Sequence, residues 1–373
     1  MTISMISSNA STWLEIDLSA IRSNVALLGK IAAVPIMAVV KGNGYGHGIA
    51  EASKAAVEGG AAWLAVARLE EAQQVRAAGV TAPILILGYV HPERAAEAAD
   101  CAVTLTVYDP ELSRELSIQA CKAGVILPVH AKIDAGMRRL GVFSENGVEF
   151  IKTLQTFPGL RITGMFTHLP RIDEINHPTT TLQVNRFKKL IAELEEEGIR
   201  PEWVHASSSA GILNSIDVRL DMLRSGIAVY GQQASDDARL MDGFKPALTW
   251  KTRLISIKTL PAGEGVGYNH RYFTQKDERI GVIGVGYADG MRRKQGNFAL
   301  VGGKRVNMVG GMCMDMCMIN LDDLPTAKVG DEVVLIGKQG SETIAPEDIG
   351  KAWNTTNYEV ICGIHARVPR FYL

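Results

Sequence analysis

The sequence predicts an α/β fold, a (β/α)8 barrel of the TIM type followed by a mostly β C-terminal domain. Three observations carry this expectation. At 373 residues the chain exceeds one ordinary domain and leaves room for a barrel of about two hundred residues. Short apolar runs alternate with helical stretches through the first two thirds. Near residue 240 that rhythm gives way to β-rich segments separated by glycine turns.

The elements can be taken in order. WLEID opens as a strand and IRSNVALLGKI has helical spacing. The apolar runs PIMAVV, AWLAVA, PILILGYV, AVTLTV, LPVHAKI, ITGMFTHL, EWVHA and MLRSGIAVYG follow, most of them leading into a helical segment such as TLQVNRFKKLIAELEEEGI. Parallel strands buried on both faces read as continuous apolar runs, and eight with helical crossovers close a barrel. The later segments RLISIKTL, RIGVIGVGYADG, FALVGGKRVNMVGG and DEVVLIGK are poor in helical periodicity and read as strands. The expected organisation is an N-terminal strand region over 1–14 associated with the β domain, a barrel over 15–238, and a β-rich domain over 239–373.

Charge and composition narrow the function. With 39 basic against 40 acidic side chains there is no electrostatic case for nucleic acid or an anionic membrane, so the expected partners are small molecules. MTISMISSNASTW lacks a basic region followed by an apolar stretch, and no run reaches eighteen uninterrupted apolar residues, so a cytoplasmic protein is expected. Cys101, Cys121, Cys313, Cys317 and Cys362 form an odd, scattered set that suits reduced thiols. Cys313 and Cys317 have no matching Cys or His pair at metal-ligand spacing, so no metal is expected.

Barrel active sites lie at the C-terminal ends of the strands. There Lys41 ends PIMAVV, Lys132 and Asp134 end LPVHAKI, His168 ends ITGMFTHL, His205 and Ser207, Ser208 and Ser209 follow EWV, and Arg224 begins RSG. One such residue is more often structural than catalytic, whereas five strand ends in agreement point to a site. A lysine leaving a buried strand is partly desolvated, which favours the neutral amine that forms a Schiff base with an aldehyde. The plainer reading is a barrel-mouth lysine that extends to water. The glycines of AVVKGNGYGHG do not make a dinucleotide fingerprint, because His47 stands where the third glycine belongs.

AVVKGNGYGHG resembles the pyridoxal 5′-phosphate (PLP) lysine signature of the alanine racemases, and the resemblance covers essentially the whole chain. KIDAGMRRLG, FTHL, HASSSAGIL, RSGIAVYG, GVGYNH, GYADG, GGMCMDMCMIN and NYEV…RVPR resemble family blocks in the same order. The resemblance implies that Lys41 carries PLP as a Schiff base and that Tyr45 bonds its phosphate. Ser208, Ser209 and the backbone of Gly226 and Ile227 would complete the phosphate cradle. It implies further that Arg224 faces the pyridine nitrogen, that His168 and His205 extend from it as a hydrogen-bond chain, and that Tyr287 lies at the cofactor. Because a guanidinium does not surrender its proton, Arg224 would leave that nitrogen unprotonated and the ring a weaker electron sink. Lys41 and Tyr268, the latter from the partner subunit of a head-to-tail homodimer, would be the two bases, one for each face of Cα. Arg139 and the backbone N–H of Met314 would hold the substrate carboxylate, supported by Asp315 and by Lys132. Lys132 lies seven residues before Arg139, where many family members carry a carbamylated lysine.

Several positions depart from the common family pattern. Ser208 stands for an asparagine, Ser225 for a proline, Gly311 for an arginine, and Ala366 for the tyrosine that normally precedes RVPR. Three functions follow: an alanine racemase making D-alanine for peptidoglycan, a racemase of the same chemistry acting on serine or larger amino acids, or a non-catalytic PLP-binding protein. The complete β domain bearing Tyr268 and Met314 argues against the third, since a cofactor buffer needs no second base.

Overall fold

The computed structural model describes residues 9–214, 218 and 220–373, so the first eight residues of the expected N-terminal strand region lie outside the described part. The chain divides into two compact units. One comprises Ser19–Gly44 and Ile49–Lys245; the other comprises the chain up to Leu18, Tyr45–Gly48 and Pro246–Leu373.

In chain order the first elements are β1 (Thr12–Ile16), α1 (Leu18–Ala32), β2 (Ile36–Val39), α2 (Ile49–Glu58), β3 (Trp63–Val66), α3 (Leu69–Ala77), β4 (Ile84–Ile86), α4 (Ala95–Asp100) and β5 (Thr104–Val107). They continue with α5 (Pro110–Lys122), β6 (Leu127–Asp134), α6 (Gly147–Gln155), β7 (Leu160–Phe166), α7 (Pro178–Glu196), β8 (Trp203–His205), α8 (Ser209–Leu213) and β9 (Leu223–Ser225). Among the described residues, β2 to β9 form one parallel sheet in the order β9-β2-β3-β4-β5-β6-β7-β8, the nearly closed barrel that the sequence predicts. Its seam is bridged by Asp221 N–H to the Val204 carbonyl at 3.0 Å and Arg224 N–H to the Ser207 carbonyl at 3.3 Å.

The local chemistry of these elements is plain. Every residue of β2, β3, β4 and β5 is buried, which is why the first three appear as unbroken apolar runs; β5 alternates two buried threonines with Leu105 and Val107. Asp109 caps α5 by accepting from Leu112 N–H at 2.8 Å, with Pro110 in the first turn where a missing N–H costs nothing. One segment differs from its reading. In MLRSGIAVYG only Leu223–Ser225 is strand, while Ile227–Tyr230 is a fully buried 3-10 turn.

The second unit joins β1 to β10 (Leu248–Leu260), β11 (Glu278–Ile283), β12 (Phe298–Val301), β13 (Lys304–Val309), β14 (Cys317–Asn320), β15 (Glu332–Gln339) and β16 (Glu342–Ile344). The helices α9 (Pro346–Trp353) and α10 (Asn357–Cys362) and the strand β17 (Arg370–Tyr372) complete it. Strands β10, β11, β14, β13, β12 and β15 pair in succession, and β15 pairs again with β10, so they form a closed ring. The two helices accompany the expected mostly β pattern and are not individually legible as helices in the sequence; at eight and six residues they are too short to impose a clear period.

Between β2 and α2 the chain turns left-handed, with φ of 62° at Gly42, 55° at Asn43, 62° at Gly44, 51° at Tyr45 and 84° at Gly46. The glycines of KGNGYGHG therefore serve a backbone reversal immediately after Lys41. A Cβ on Gly46 would lie 2.2 Å from the Ile361 carbonyl oxygen. Gly46→Ala is expected to cost upwards of ~1–3 kcal/mol, from the positive φ and that collision together. Gly29→Ala, in a helix interior with nothing within 4 Å, is expected to stabilise by about 0.5–1 kcal/mol. Urea midpoints at unchanged m-value measure both, and a neutral Gly46→Ala would refute the close approach.

Candidate active site

The strand ends of the barrel unit converge on Arg224. Its side chain is buried, yet no carboxylate bonds to it among the described residues. Nη1 donates to His205 Nδ1 at 2.7 Å, and Nη2 donates to the carbonyls of Thr167 and Ala206, both at 2.9 Å. His168 Nδ1 lies 3.4 Å from Nη2. β7 and β8 thus present the carbonyls just beyond their ends to a guanidinium carried by β9.

Burial has consistent electrostatic effects here. It lowers the Arg224 guanidinium from its ordinary value to about 9, which leaves it protonated at neutral pH. Burial first, and the Arg224 charge second, hold His168 and His205 well below the usual imidazole range, so both are neutral. Lys132, Arg139 and Lys41, in that order, add to the depression at His168. His205 also stacks on Phe166, with centroids 4.8 Å apart and planes 7° from parallel.

Lys132 is buried with its Nζ 4.1 Å from the Phe166 ring centroid. Desolvation, then Arg224 and Arg139, drive its pKa well below the usual lysine value, although Asp134 opposes them. Asp134 itself accepts from Gly136 N–H at 2.7 Å and Arg138 N–H at 2.8 Å, and so ties down the loop that carries Arg139. Arg139 is exposed; Arg138 is exposed too and covers the Phe143 ring at 4.6 Å.

On the seam side, Ser209 and Ser225 share a hydrogen bond of 3.0 Å, and Gly226 N–H donates to Ser209 Oγ at 3.0 Å. The departure at Ser225 thus adds a hydroxyl to this corner. Gly226 and Ile227 lead into the 3-10 turn, whose first N–H groups have no carbonyl to meet within it. Ser208 occupies the N-cap of α8 without making a capping bond, so its hydroxyl is not committed to the helix.

In the β unit, Tyr45 is buried beside Tyr358, with centroids 6.1 Å apart, and burial pushes its phenol up from the ordinary value. Tyr268 is 64% exposed on a 3-10 turn between two short paired strands, Gly265–Val266 and Tyr272–Phe273. Tyr287 and Met314 are also exposed, and their loops are joined by Tyr287 N–H to the Cys313 carbonyl at 3.2 Å and Ala288 N–H to the Met314 carbonyl at 3.0 Å. Arg367 locks this arrangement, donating to Asp289 at 2.7 Å and to Asp315 at 2.5 Å.

Sequence reasoning missed Arg367, Asp289, Phe166 and His130. His130 is fully buried and its Nδ1 lies 3.0 Å from His205 Nε2. Strand parity was the available signal: residues 130, 132 and 134 of β6 share one face.

A parallel barrel whose strand ends carry a buried arginine with no carboxylate bonded to it among the described residues, and a separate β domain, are the two parts that the family comparisons match. The alanine racemase N-terminal domain model matches residues 16–234 and the alanine racemase C-terminal domain model matches residues 247–372. An alanine racemase of Symbiobacterium thermophilum is 42% identical over 97% of both chains. The crystal structure of alanine racemase from Bacillus anthracis with bound L-Ala-P is 39% identical, with a TM-score of 0.92 over 97% of this chain and 95% of that one. A histidine racemase from Leuconostoc mesenteroides subsp. sake shares 27% identity at a TM-score of 0.89, covering 98% of each chain. The chain belongs to the alanine racemase family and is an enzyme, an amino-acid racemase. Among the described residues, no helix is long and apolar enough to cross a membrane.

The neutral histidines make stability depend on pH. Their folded pKa values lie below the ordinary 6.5, that of His130 near 3, so the unfolded chain binds more protons as pH falls. Stability is therefore expected to be fully present above about pH 7 and to fall below pH 6.5. The slope approaches about 1.4 kcal/mol per pH unit for each such histidine. Urea titrations at pH 7.5, 6.5 and 5.5 measure it, and a flat profile would contradict buried neutral imidazoles.

Proposed function

We propose that this enzyme interconverts L- and D-alanine using PLP held on Lys41, with Lys41 and Tyr268 as the two bases. The observation that carries this reading is the buried, uncompensated Arg224, whose Nε–H makes no bond among the described residues. A donor without a carboxylate suits an unprotonated ring nitrogen, and a carboxylate in its place would keep that nitrogen protonated. The hydroxyls of Ser208 and Ser209 and the turn N–H groups of Gly226 and Ile227 suit a phosphate that would take over Gly226 N–H from Ser209 Oγ, with Tyr45 as a further donor. The cofactor, when bound, supplies the electron sink for the pair left as the α-proton departs.

The chain's own groups supply the rest. Arg139 pairs with the substrate carboxylate, with the Met314 N–H adding a donor from a loop held by Asp315 and Arg367. Lys41 Nζ moves the proton on one face of Cα, and the Tyr268 phenol moves it on the other. The exposure of Tyr268, Tyr287 and Met314 in the single chain supports their use in a homodimer, where each protomer lends its loops to its partner. The D-alanine formed in the cytoplasm would serve peptidoglycan. Borohydride should trap PLP on the Lys41 peptide, and Tyr268→Phe should slow both directions by several orders of magnitude while the Lys41 face still exchanges deuterium. Trapping at another lysine, or wild-type wash-in on both enantiomers, would overturn these assignments.

A second reading concerns side-chain range. Ala366 is exposed and offers a methyl where the family pattern has a tyrosine, and a structural relative acts on histidine by its name. Hydrophobic fit discriminates by only about 1–3 kcal/mol per methylene, so alanine selectivity needs a steric wall. Serine, lysine or arginine is then expected to be racemised within tenfold of alanine, and Ala366→Tyr to widen the gap. Measuring kcat/KM for these substrates in both proteins decides it: strong alanine preference in the wild type, unchanged by the tyrosine, removes this reading.

A further inference from the structure

We propose that His130 is a positioning residue for Arg224: by accepting from His205 Nε2–H it holds the ring whose Nδ1 accepts from the guanidinium. The proposal rests on the reading above that Arg224 faces the cofactor ring.

The direction follows from donor inventory. A guanidinium only donates, so His205 must accept at Nδ1 and carry its proton at Nε2. That Nε2–H faces His130 Nδ1 at 3.0 Å, so His130 accepts there and carries its own proton at Nε2. The chain thus runs one way, Arg224 to His205 to His130, through two neutral rings. Its far end makes no further bond: His130 Nε2 is buried without a partner among the described residues.

A buried N–H without an acceptor is costly, and nothing about shape requires it. His130 is wedged between the Trp63 ring, 5.5 Å away, and the backbone at Gly164, where a Cβ would lie 2.5 Å from Nε2. An apolar side chain of similar size would fill that space without the orphan. What it would not supply is an acceptor for His205. Without one, His205 Nε2–H is left buried and unpaired, and any tilt of the ring that relieves it loosens the Nδ1 acceptor on which Arg224 depends. The cost at Nε2 is the consequence of keeping Nδ1 for His205.

Two variants separate this role from packing. His130→Gln retains an acceptor, whereas His130→Met retains volume alone. In the full-length protein as purified, labelled with ¹⁵N-histidine, imidazole spectra at neutral pH should show His205 and His130 as Nε2–H tautomers. His130→Gln should leave the His205 signals in place and keep most of kcat. His130→Met should shift them and lower kcat about tenfold, with KM changed less than twofold. Gly164→Ala, which pushes the His130 ring without altering Arg224 or His205, should act in the same direction as His130→Met and serves if that variant fails to fold. An Nδ1–H or doubly protonated His205 in the wild type overturns the proposal. So does a His130→Met protein with wild-type kcat and unmoved His205 signals. The tautomer readout is independent of the cofactor, so a failure of the Arg224–ring reading would leave the tautomers and their shift in His130→Met as stated while kcat stayed unchanged.

Discussion

A guanidinium buried without a counter-charge is the constraint on which the barrel's strand ends depend. Removing an ion from water costs several kcal/mol even after relaxation. Charge-assisted hydrogen bonds of about 1.5–3 kcal/mol each offset that cost only if several converge. For Arg224 they come from His205, Thr167 and Ala206, which lie at the ends of two strands beyond the seam. The barrel must therefore hold β7, β8 and β9 in fixed register, and the seam bonds at Asp221 and Arg224 maintain it. The pairing of Arg224 with Met37 and Ser225 with Ala38 then sets β2, and with it Lys41, against the same strand.

The β unit solves a different problem, that of presenting exposed side chains on ordered loops. Tyr287 and Met314 are exposed, although buried residues such as Val285, Asp289, Met312 and Cys317 flank them. Asp289 adds to that packing: it is buried, accepts from Gly286 N–H at 2.8 Å and receives Arg367. Arg367 reaches on to Asp315, so one side chain couples the two loops. Each bond is modest in energy, but together they spend the loops' entropy during folding rather than during binding.

Much of this was legible in the sequence, and its omissions have physical causes. The barrel strands were visible because burial on both faces leaves few polar residues to interrupt them. The same burial made Ile227–Tyr230 indistinguishable from strand, since a fully buried 3-10 turn is equally apolar. Lys41, Lys132, His168, His205 and Arg224 stood out because a charged or polar group at the end of an apolar run is conspicuous. His130 did not, since it lies within a run and its significance comes from a ring 75 residues away in sequence. Arg367 was read as part of a motif, yet its partners Asp289 and Asp315 come from two loops that only the tertiary fold brings together.

The closed ring of β10 to β15 has a consequence for solubility. An open sheet offers a row of unpaired N–H and C=O groups on which another chain can add as a strand. Closure consumes those groups, and the appended strands β16 and β17, three residues each, provide too short a template for stable addition. The unit can therefore carry exposed Tyr268, Phe273, Met314 and Met316 without setting them beside a long free edge. Apolar exposure and backbone exposure are kept apart, so a sticky surface does not become a nucleus for fibrils.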